Sequence, residues 1–128
     1  MGRCVLAIEH DWRIRKLIRA NLEALGLQVR EAVSEQHGLQ QLREWRPDLI
    51  LVDLELPGSD GLNLVDRLRA QTSDRPVPII VLSADPPERQ FLRTGQATDY
   101  LQKPFAAPSL LEQVRRALDA NPGRGPKR

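Results

Sequence analysis

Short runs of apolar residues divide the chain into segments. Residues 5–8, 49–52 and 77–82 are continuously apolar and rich in Leu, Ile and Val. Short continuous runs of this kind are typical of strands that are buried on both faces of a parallel sheet. Two weaker runs, at residues 27–29 and 100–101, bring the number of predicted strands to five.

Between these strands, apolar residues recur at the spacing of one helix face. Asp11 is the predicted N-cap of the first helix and Gly26 its predicted stop, and the second helix begins near Ser34. Ser109 is followed three residues later by Glu112, a capping-box spacing that predicts the start of the last helix. The five predicted helices lie at residues 12–25, 35–46, 64–68, 87–94 and 110–118.

A strand followed by a helix is thus repeated five times along the chain. This alternation predicts an α/β fold in which helices cover both faces of a parallel sheet. A length of 128 residues fits one domain, which we place at residues 1–120. After Ala120 the sequence changes to NPGRGPKR, which lacks apolar residues, so residues 121–128 are predicted to form a flexible basic tail or a linker stub.

The charge of the chain is concentrated in that tail. The pI of 9.1 suggests nucleic-acid binding at first sight. However, the last eight residues contain three basic and no acidic side chains, and the first 120 carry 16 basic and 17 acidic ones. The predicted domain is therefore slightly acidic, and direct nucleic-acid binding by it is not expected.

Other protein classes are excluded by simple features. The single cysteine, Cys4, excludes an internal disulfide framework and a multi-cysteine zinc site. No apolar run approaches the length of about 18 residues that a membrane span needs. The first residues lack the apolar stretch of a signal peptide, so a cytoplasmic location without membrane contact is expected.

Ionisable and polar side chains follow four of the five predicted strands. In open α/β sheets, binding sites form at the carboxyl ends of the strands, so these side chains should converge at one edge. Carboxylates are the ligands that Mg²⁺ prefers, and a lysine suits a phosphoryl oxygen. Asp53, expected to be exposed at its strand end, could form an acyl phosphate. The converging residues are Glu9, His10, Asp53, Glu55, Ser83 and Lys103.

In these segments the sequence resembles the receiver domain of bacterial two-component response regulators. The resemblance extends from about residue 3 to residue 120, which is nearly the whole chain. It implies a flavodoxin-like (βα)5 three-layer sandwich with a five-stranded parallel sheet in the order 2-1-3-4-5, and no enzymatic activity as a separate function. The segments that carry the resemblance are VLAIEHD at 5–11, PDLILVD at 47–53, LPGSDG at 56–61, IIVLSA at 79–84 and DYLQKPF at 99–105.

The resemblance also implies a role for each residue of the site. Asp53 would accept a phosphoryl group from a sensor histidine kinase or a phosphotransfer protein, and Lys103 would pair with the phosphoryl oxygens. Ser83 would move toward that group, and Tyr100 would turn inward as the aromatic switch. The Mg²⁺ ligands would be Asp53, Glu9, the residue at His10 and the backbone carbonyl of Glu55.

The output implied by the resemblance involves the surface of the fourth predicted helix, the fifth strand and the fifth predicted helix. That surface would pass the signal to an effector protein or to a C-terminal output domain missing from this sequence, and it could form a homodimer. The segment between Ser83 and Lys103 is about two residues shorter than usual in the family and begins with Pro86 and Pro87. A short or irregular fourth helix, and an atypical output surface, are therefore expected.

His10 is the clearest departure from the family pattern, which has an acidic residue at this position. A histidine supplies less negative charge than a carboxylate and prefers softer metals. We therefore expect weakened Mg²⁺ binding, with Mn²⁺ or another transition metal as an alternative.

Two other functions are alternatives to a phosphorylated receiver. The first is a pseudo-receiver, a protein-interaction module that works without phosphate, and His10 and the short fourth helix motivate it. The second is a flavodoxin-like enzyme or nucleotide binder, which normally needs a Gly-rich or hydroxyl-rich phosphate loop after the first strand. Residues 9–12 (EHDW) are acidic and lack glycine, which disfavours the second alternative.

Overall fold

The computed structural model describes residues 2–86 and 97–120. The fourth predicted helix, at residues 87–94, and the predicted tail at residues 121–128 lie outside the described residues. Five strands and four helices alternate along the described chain: β1 (Cys4–Ile8), α1 (Trp12–Glu23), β2 (Gln28–Ala32), α2 (Glu35–Glu44), β3 (Leu49–Asp53), α3 (Gly61–Gln71), β4 (Ile79–Ser83), β5 (Asp99–Gln102) and α4 (Ala107–Ala120).

The five strands form one parallel sheet in the order β2-β1-β3-β4-β5. Every residue of the two central strands β3 and β4 is buried. Continuous apolar runs therefore indicated these strands correctly, because each residue on either face meets a covering helix. The predicted fold class and strand order are confirmed.

Hydrophobic residues form one core on each face of the sheet. Because side chains alternate along a strand, Leu6 and Ile8 of β1 pack on one face, while Val5 and Ala7 pack on the other. The first face is covered by apolar residues of α2 and α3, and the second by those of α1 and α4. This is the three-layer arrangement that the alternation of strands and helices predicted.

Local signals placed the starts of the first two helices correctly. Asp11 caps α1 by accepting a hydrogen bond from the Arg13 amide at 2.9 Å, and Ser34 caps α2 by accepting one from the His37 amide at 3.1 Å. Helix α1 ends at Glu23, earlier than the predicted stop, and Gly26 closes the turn that follows it with a φ of 87°, which only glycine tolerates easily.

The predicted start of the last helix, with Ser109 as its capping residue, is wrong by three residues. Helix α4 begins at Ala107, and the Ser109 amide already donates to the Ala106 carbonyl at 3.0 Å. The second helical residue is Pro108, whose missing N–H is harmless in a first turn because the amides there have no partner within the helix.

Candidate functional site

The site lies at the carboxyl ends of β1, β3, β4 and β5, where the strand-end rule placed it. Three backbone hydrogen bonds align these ends. The Glu9 amide donates to Ala32, the Leu54 amide to Leu82, and the Lys103 amide to Ser83, at 2.8 to 3.0 Å. The residues that follow the strands therefore leave the sheet at the same level and face one another.

Glu9, His10 and Asp53 form a compact group of possible metal ligands. One ligand atom from each of the three lies within 4.8 Å of the others. His10 Nδ1 is 2.7 Å from Asp53 Oδ2 and 3.5 Å from Glu9 Oε2. An ionised carboxylate can only accept a hydrogen bond. His10 Nδ1 therefore carries a proton and donates a hydrogen bond to Asp53.

The expectation that Asp53 is exposed is wrong. Both Asp53 and Glu9 are fully buried, while the side chain of His10 remains 41% exposed and lies against Asp53 Oδ2. The Glu55 amide also donates to Asp53 Oδ1 at 2.8 Å. A phosphodonor therefore reaches Asp53 only through a movement of its neighbours, and the exposed side chain of His10 is one of them.

Lys103 holds the two buried carboxylates together. Its Nζ lies 3.1 Å from Glu9 Oε1 and 3.2 Å from Asp53 Oδ1, and its side chain is only 14% exposed. Burial acts to lower the pKa of Lys103, but the two carboxylates outweigh this effect and raise the pKa above its ordinary value. The ammonium group therefore stays charged at neutral pH.

The two carboxylates differ in their electrostatic environment. Burial raises the pKa of Glu9, and the Asp11 amide and Lys103 offset this only in part. Burial also acts to raise the pKa of Asp53, but the Glu55 amide, His10 and Lys103 outweigh it and hold the pKa below its ordinary value. Asp53 is therefore the carboxylate kept ionised, as a nucleophile needs to be.

Ser83 and Glu55 meet beside this group. The buried Ser83 hydroxyl donates to Glu55 Oε2 at 2.5 Å, and the Ala84 amide approaches Glu55 Oε1 at 3.3 Å. The side chain of Glu55 therefore contacts the end of β4 and is not part of the ligand group of Glu9, His10 and Asp53. Tyr100, the predicted switch residue, is 5% exposed and packs inward in the core on the α2 and α3 face.

Sequence reasoning missed Arg15. Its Nη1 donates to the carbonyls of Glu9 at 2.9 Å and His10 at 3.1 Å, and its Nε donates to Glu31 at 2.9 Å. This guanidinium fixes the backbone of the loop that carries two candidate ligands. No local pattern signals this role, because the contacts depend on how α1 packs beside β2.

A comparison with known protein families matches the chain to one family. The model of the response regulator receiver domain matches residues 5–115, which is most of the chain. The chain belongs to this family. The receiver family is thus the one that the sequence motifs indicated.

Three relatives illustrate how far the similarity of this receiver domain extends. The KDP operon transcriptional regulatory protein KdpE of Escherichia coli is 40% identical over 116 residues, which are 89% of this chain and 50% of KdpE. The chemotaxis protein CheY4 of Vibrio cholerae is 28% identical with a TM-score of 0.83, covering 92% of this chain and all of that chain. The receiver domain of the sensor histidine kinase PA1611 of Pseudomonas aeruginosa is 30% identical with a TM-score of 0.81, covering 93% of this chain and 99% of that chain, and its structure holds a magnesium ion in the active site cleft.

These comparisons favour a receiver of two-component signalling over a phosphate-independent module, because the similar curated proteins are response regulators. The chain spans between a quarter and about half of the length of the curated relatives that it matches. In the described part of the chain, no helix is long and apolar enough to cross a bilayer.

Proposed function

We propose that this receiver domain is switched by phosphorylation of Asp53. The observation that carries the proposal is the position of Asp53: its carboxylate, at the carboxyl end of β3, lies between the Lys103 ammonium and two further candidate metal ligands. The donor would be the phosphohistidine of a sensor histidine kinase or of a phosphotransfer protein.

The transfer needs little chemistry from the protein beyond positioning and charge neutralisation. An oxygen of Asp53 forms a bond to phosphorus while the bond between phosphorus and the donor nitrogen breaks. The electron pair of that bond stays on the donor imidazole, which takes up a proton from solvent. Lys103, 3.2 Å from Asp53, neutralises negative charge on the phosphoryl oxygens.

Glu9, His10 and Asp53 would hold a divalent cation, with the backbone carbonyl of Glu55 as a further ligand. The residues fit such an ion, because the three ligand atoms lie within 4.8 Å of one another and bring two buried carboxylates together, with the Lys103 ammonium 3.1 Å from Glu9 Oε1. When bound, the ion supplies positive charge that neutralises the phosphoryl oxygens.

His10 should change which ion is preferred. Mg²⁺ binds carboxylates and water, whereas an imidazole nitrogen suits transition metals. The ion must also replace the proton that His10 Nδ1 donates to Asp53. We therefore propose weak Mg²⁺ binding and a relative preference for Mn²⁺ or another transition metal.

Output would pass from the phosphoryl group through Ser83 and Tyr100 to the surface that includes β5 and α4. An effector protein, a C-terminal output domain or a second copy of the chain would bind there. We further propose that residues 1–120 form the receiver domain, that residues 121–128 form a tail or linker, and that the protein acts in the cytoplasm without binding nucleic acid directly.

Acetyl phosphate, a small phosphodonor, tests the proposed function. We expect intact-mass measurement to show one added phosphoryl group on the wild type in the presence of Mg²⁺ or Mn²⁺, and none on Asp53→Asn. The variant His10→Asp restores the family's acidic residue and should be modified faster in Mg²⁺. If His10→Asp is modified and the wild type is not with either ion, the pseudo-receiver interpretation replaces this proposal.

A further inference from the structure

The side chain of Glu55 fills a position where an anion would otherwise bind. Its two carboxylate oxygens meet two donors at the end of β4: the Ser83 hydroxyl, at 2.5 Å from Oε2, and the Ala84 amide, at 3.3 Å from Oε1. A hydroxyl and a backbone N–H that converge on two oxygens of one group form a small site for an oxyanion. In this protein, the oxyanion comes from the chain itself.

Ser83 has no second proton to offer. A serine hydroxyl donates one hydrogen bond, and a carboxylate can only accept, so the proton of Ser83 is committed to Glu55. The Ser83 oxygen in turn accepts a hydrogen bond from the Asp85 amide at 3.0 Å. Because Ser83 is fully buried, water cannot readily replace either partner. Any other anion that uses the Ser83 hydroxyl must displace Glu55.

Glu55 is also hydrogen-bonded to Asp53. The Glu55 amide donates to Asp53 Oδ1 at 2.8 Å, while its carboxylate reaches Ser83. One residue therefore connects the candidate phosphorylation site with the hydroxyl at the end of the next strand. A phosphoryl group on Asp53 would add negative charge close to the Glu55 carboxylate, and like charges at short distance repel.

We propose that Glu55 is an internal competitor of the phosphoryl group. Its carboxylate occupies the Ser83 hydroxyl and the Ala84 amide, and phosphorylation of Asp53 requires that it leave them. The proposal rests on the proposed function, since it assumes that Asp53 accepts the phosphoryl group. It goes further by assigning to the side chain of Glu55 an inhibitory role that is separate from any role of its backbone carbonyl.

Two substitutions separate competition for the donors from simple charge repulsion. Glu55→Ala removes the carboxylate, whereas Glu55→Asp keeps the charge on a side chain that is one methylene too short to reach Ser83 as Glu55 does. Both keep the backbone carbonyl and the amide that binds Asp53. With acetyl phosphate and a saturating concentration of the same divalent ion, we expect both variants to be phosphorylated about tenfold faster than the wild type. In each variant, the hydrogen bond from the Ser83 hydroxyl to the charged Glu55 carboxylate no longer has to be broken first.

The readout is the rate of appearance of the phosphorylated mass, measured over a range of acetyl phosphate concentrations. Ion binding is measured separately for each variant, so that saturation is verified. Urea unfolding verifies that each variant is folded.

The outcomes are distinct. A faster Glu55→Ala beside a Glu55→Asp that matches the wild type shows that charge alone matters, and it overturns the competition. Equal rates for all three proteins overturn it as well while leaving the proposed function intact. If none of the three accepts a phosphoryl group, the proposed function fails and the competition fails with it.

Discussion

The site has two halves that are built for opposite charges. The cation half consists of Glu9, His10 and Asp53, and the anion half consists of Ser83, Ala84 and Glu55. In the cation half, an imidazole N–H lies 2.7 Å from a buried carboxylate oxygen. In the anion half, a carboxylate accepts from a buried hydroxyl at 2.5 Å.

In each half, a side chain of the protein therefore forms a hydrogen bond with a polar group that a bound ligand would otherwise contact. A buried polar group without a partner is strongly disfavoured, so partners from the chain stabilise the fold. The same partners must be displaced when a ligand binds, which lowers its net affinity. The halves differ in how many hydrogen bonds hold the partner: His10 makes one, to Asp53, whereas the Glu55 carboxylate accepts two, from Ser83 and Ala84. We expect the cation half to exchange its partner more easily than the anion half.

The largest effect should follow from removing the ammonium group beside the cation half. Lys103→Met leaves Glu9 and Asp53 as two buried carboxylates without their shared ion-pair partner. Leaving buried charges uncompensated destabilises a protein by about 3 kcal/mol. The free energy of unfolding, measured with urea, should fall by this amount, and phosphorylation by acetyl phosphate should be lost.

Lys16→Met is the matched control for this variant. Lys16 is an exposed residue of α1, and its replacement should change the unfolding free energy by less than about 0.5 kcal/mol. A Lys103→Met protein as stable as this control would show that the two carboxylates do not depend on Lys103.

The second effect concerns the choice of metal ion by the cation half. His10→Asp replaces an imidazole by a carboxylate, which Mg²⁺ prefers, and removes the proton donor that competes with the ion. We expect Mg²⁺ to bind about tenfold more tightly, which corresponds to about 1.4 kcal/mol. The preference for Mn²⁺ over Mg²⁺ should shrink at the same time.

Isothermal titration with each ion measures both changes. His37→Asp, the same substitution in α2 near its first turn, should leave ion binding unchanged. If His10→Asp and the wild type bind Mg²⁺ equally, His10 neither supplies nor blocks a ligand position, and the description of the cation half is wrong.

The fold could be predicted from the sequence where strands are buried on both faces. β1, β3 and β4 are continuous apolar runs, so the sequence shows them directly. The edge strand β2 was predicted only at residues 27–29, although it extends over Gln28–Ala32. Arg30 and Glu31 interrupt its apolar pattern, because β2 is paired on one side only and leaves part of its surface to polar contacts.

The sequence predicted only those features of the site that the path of the backbone determines. The ends of parallel strands lie at one edge, and this rule placed Glu9, Asp53, Ser83 and Lys103 correctly. The direction of the Glu55 side chain toward Ser83 could not be predicted, because it depends on the rotamer and on the partners that packing offers. The burial of Asp53 was missed for the same reason, since a strand end is exposed or covered according to its three-dimensional neighbours.

A third test addresses the loop that carries Glu9 and His10. Arg15→Met removes the guanidinium that donates to both of their carbonyls and to Glu31. The loop should then sample more conformations, so ligand atoms are positioned less well. We expect Mn²⁺ to bind about threefold more weakly, a change of less than about 1 kcal/mol.

Arg13→Met provides the comparison for this variant. The side chain of Arg13 is 75% exposed, and its nearest carboxylate is that of Asp11 at 3.6 Å. Titration with Mn²⁺ should give the wild-type affinity for Arg13→Met. Equal affinities for Arg15→Met and Arg13→Met would mean that the loop keeps its shape without the guanidinium.

The smallest effect should be a gain in stability when the cation half loses a charge. Burial raises the pKa of Glu9, so the ionised form is disfavoured in the folded chain at neutral pH. The raised pKa means that Glu9 contributes stability below its ordinary pKa and that this contribution is lost as the pH rises through the raised value.

Glu9→Gln removes this dependence on pH. At pH 7 the variant should therefore unfold at a temperature roughly 2 °C higher than the wild type, and the difference should disappear as the pH falls and Glu9 itself becomes protonated. Thermal unfolding at several pH values measures this, with Glu44→Gln, an exposed glutamate at the end of α2, as the control. A variant that unfolds at a lower temperature than the wild type at pH 7, by a margin that shrinks as the pH falls, would show that Lys103 stabilises ionised Glu9 more than burial disfavours it. The predicted pattern instead means that part of the stability of the fold is given up to keep a negative charge available for a cation.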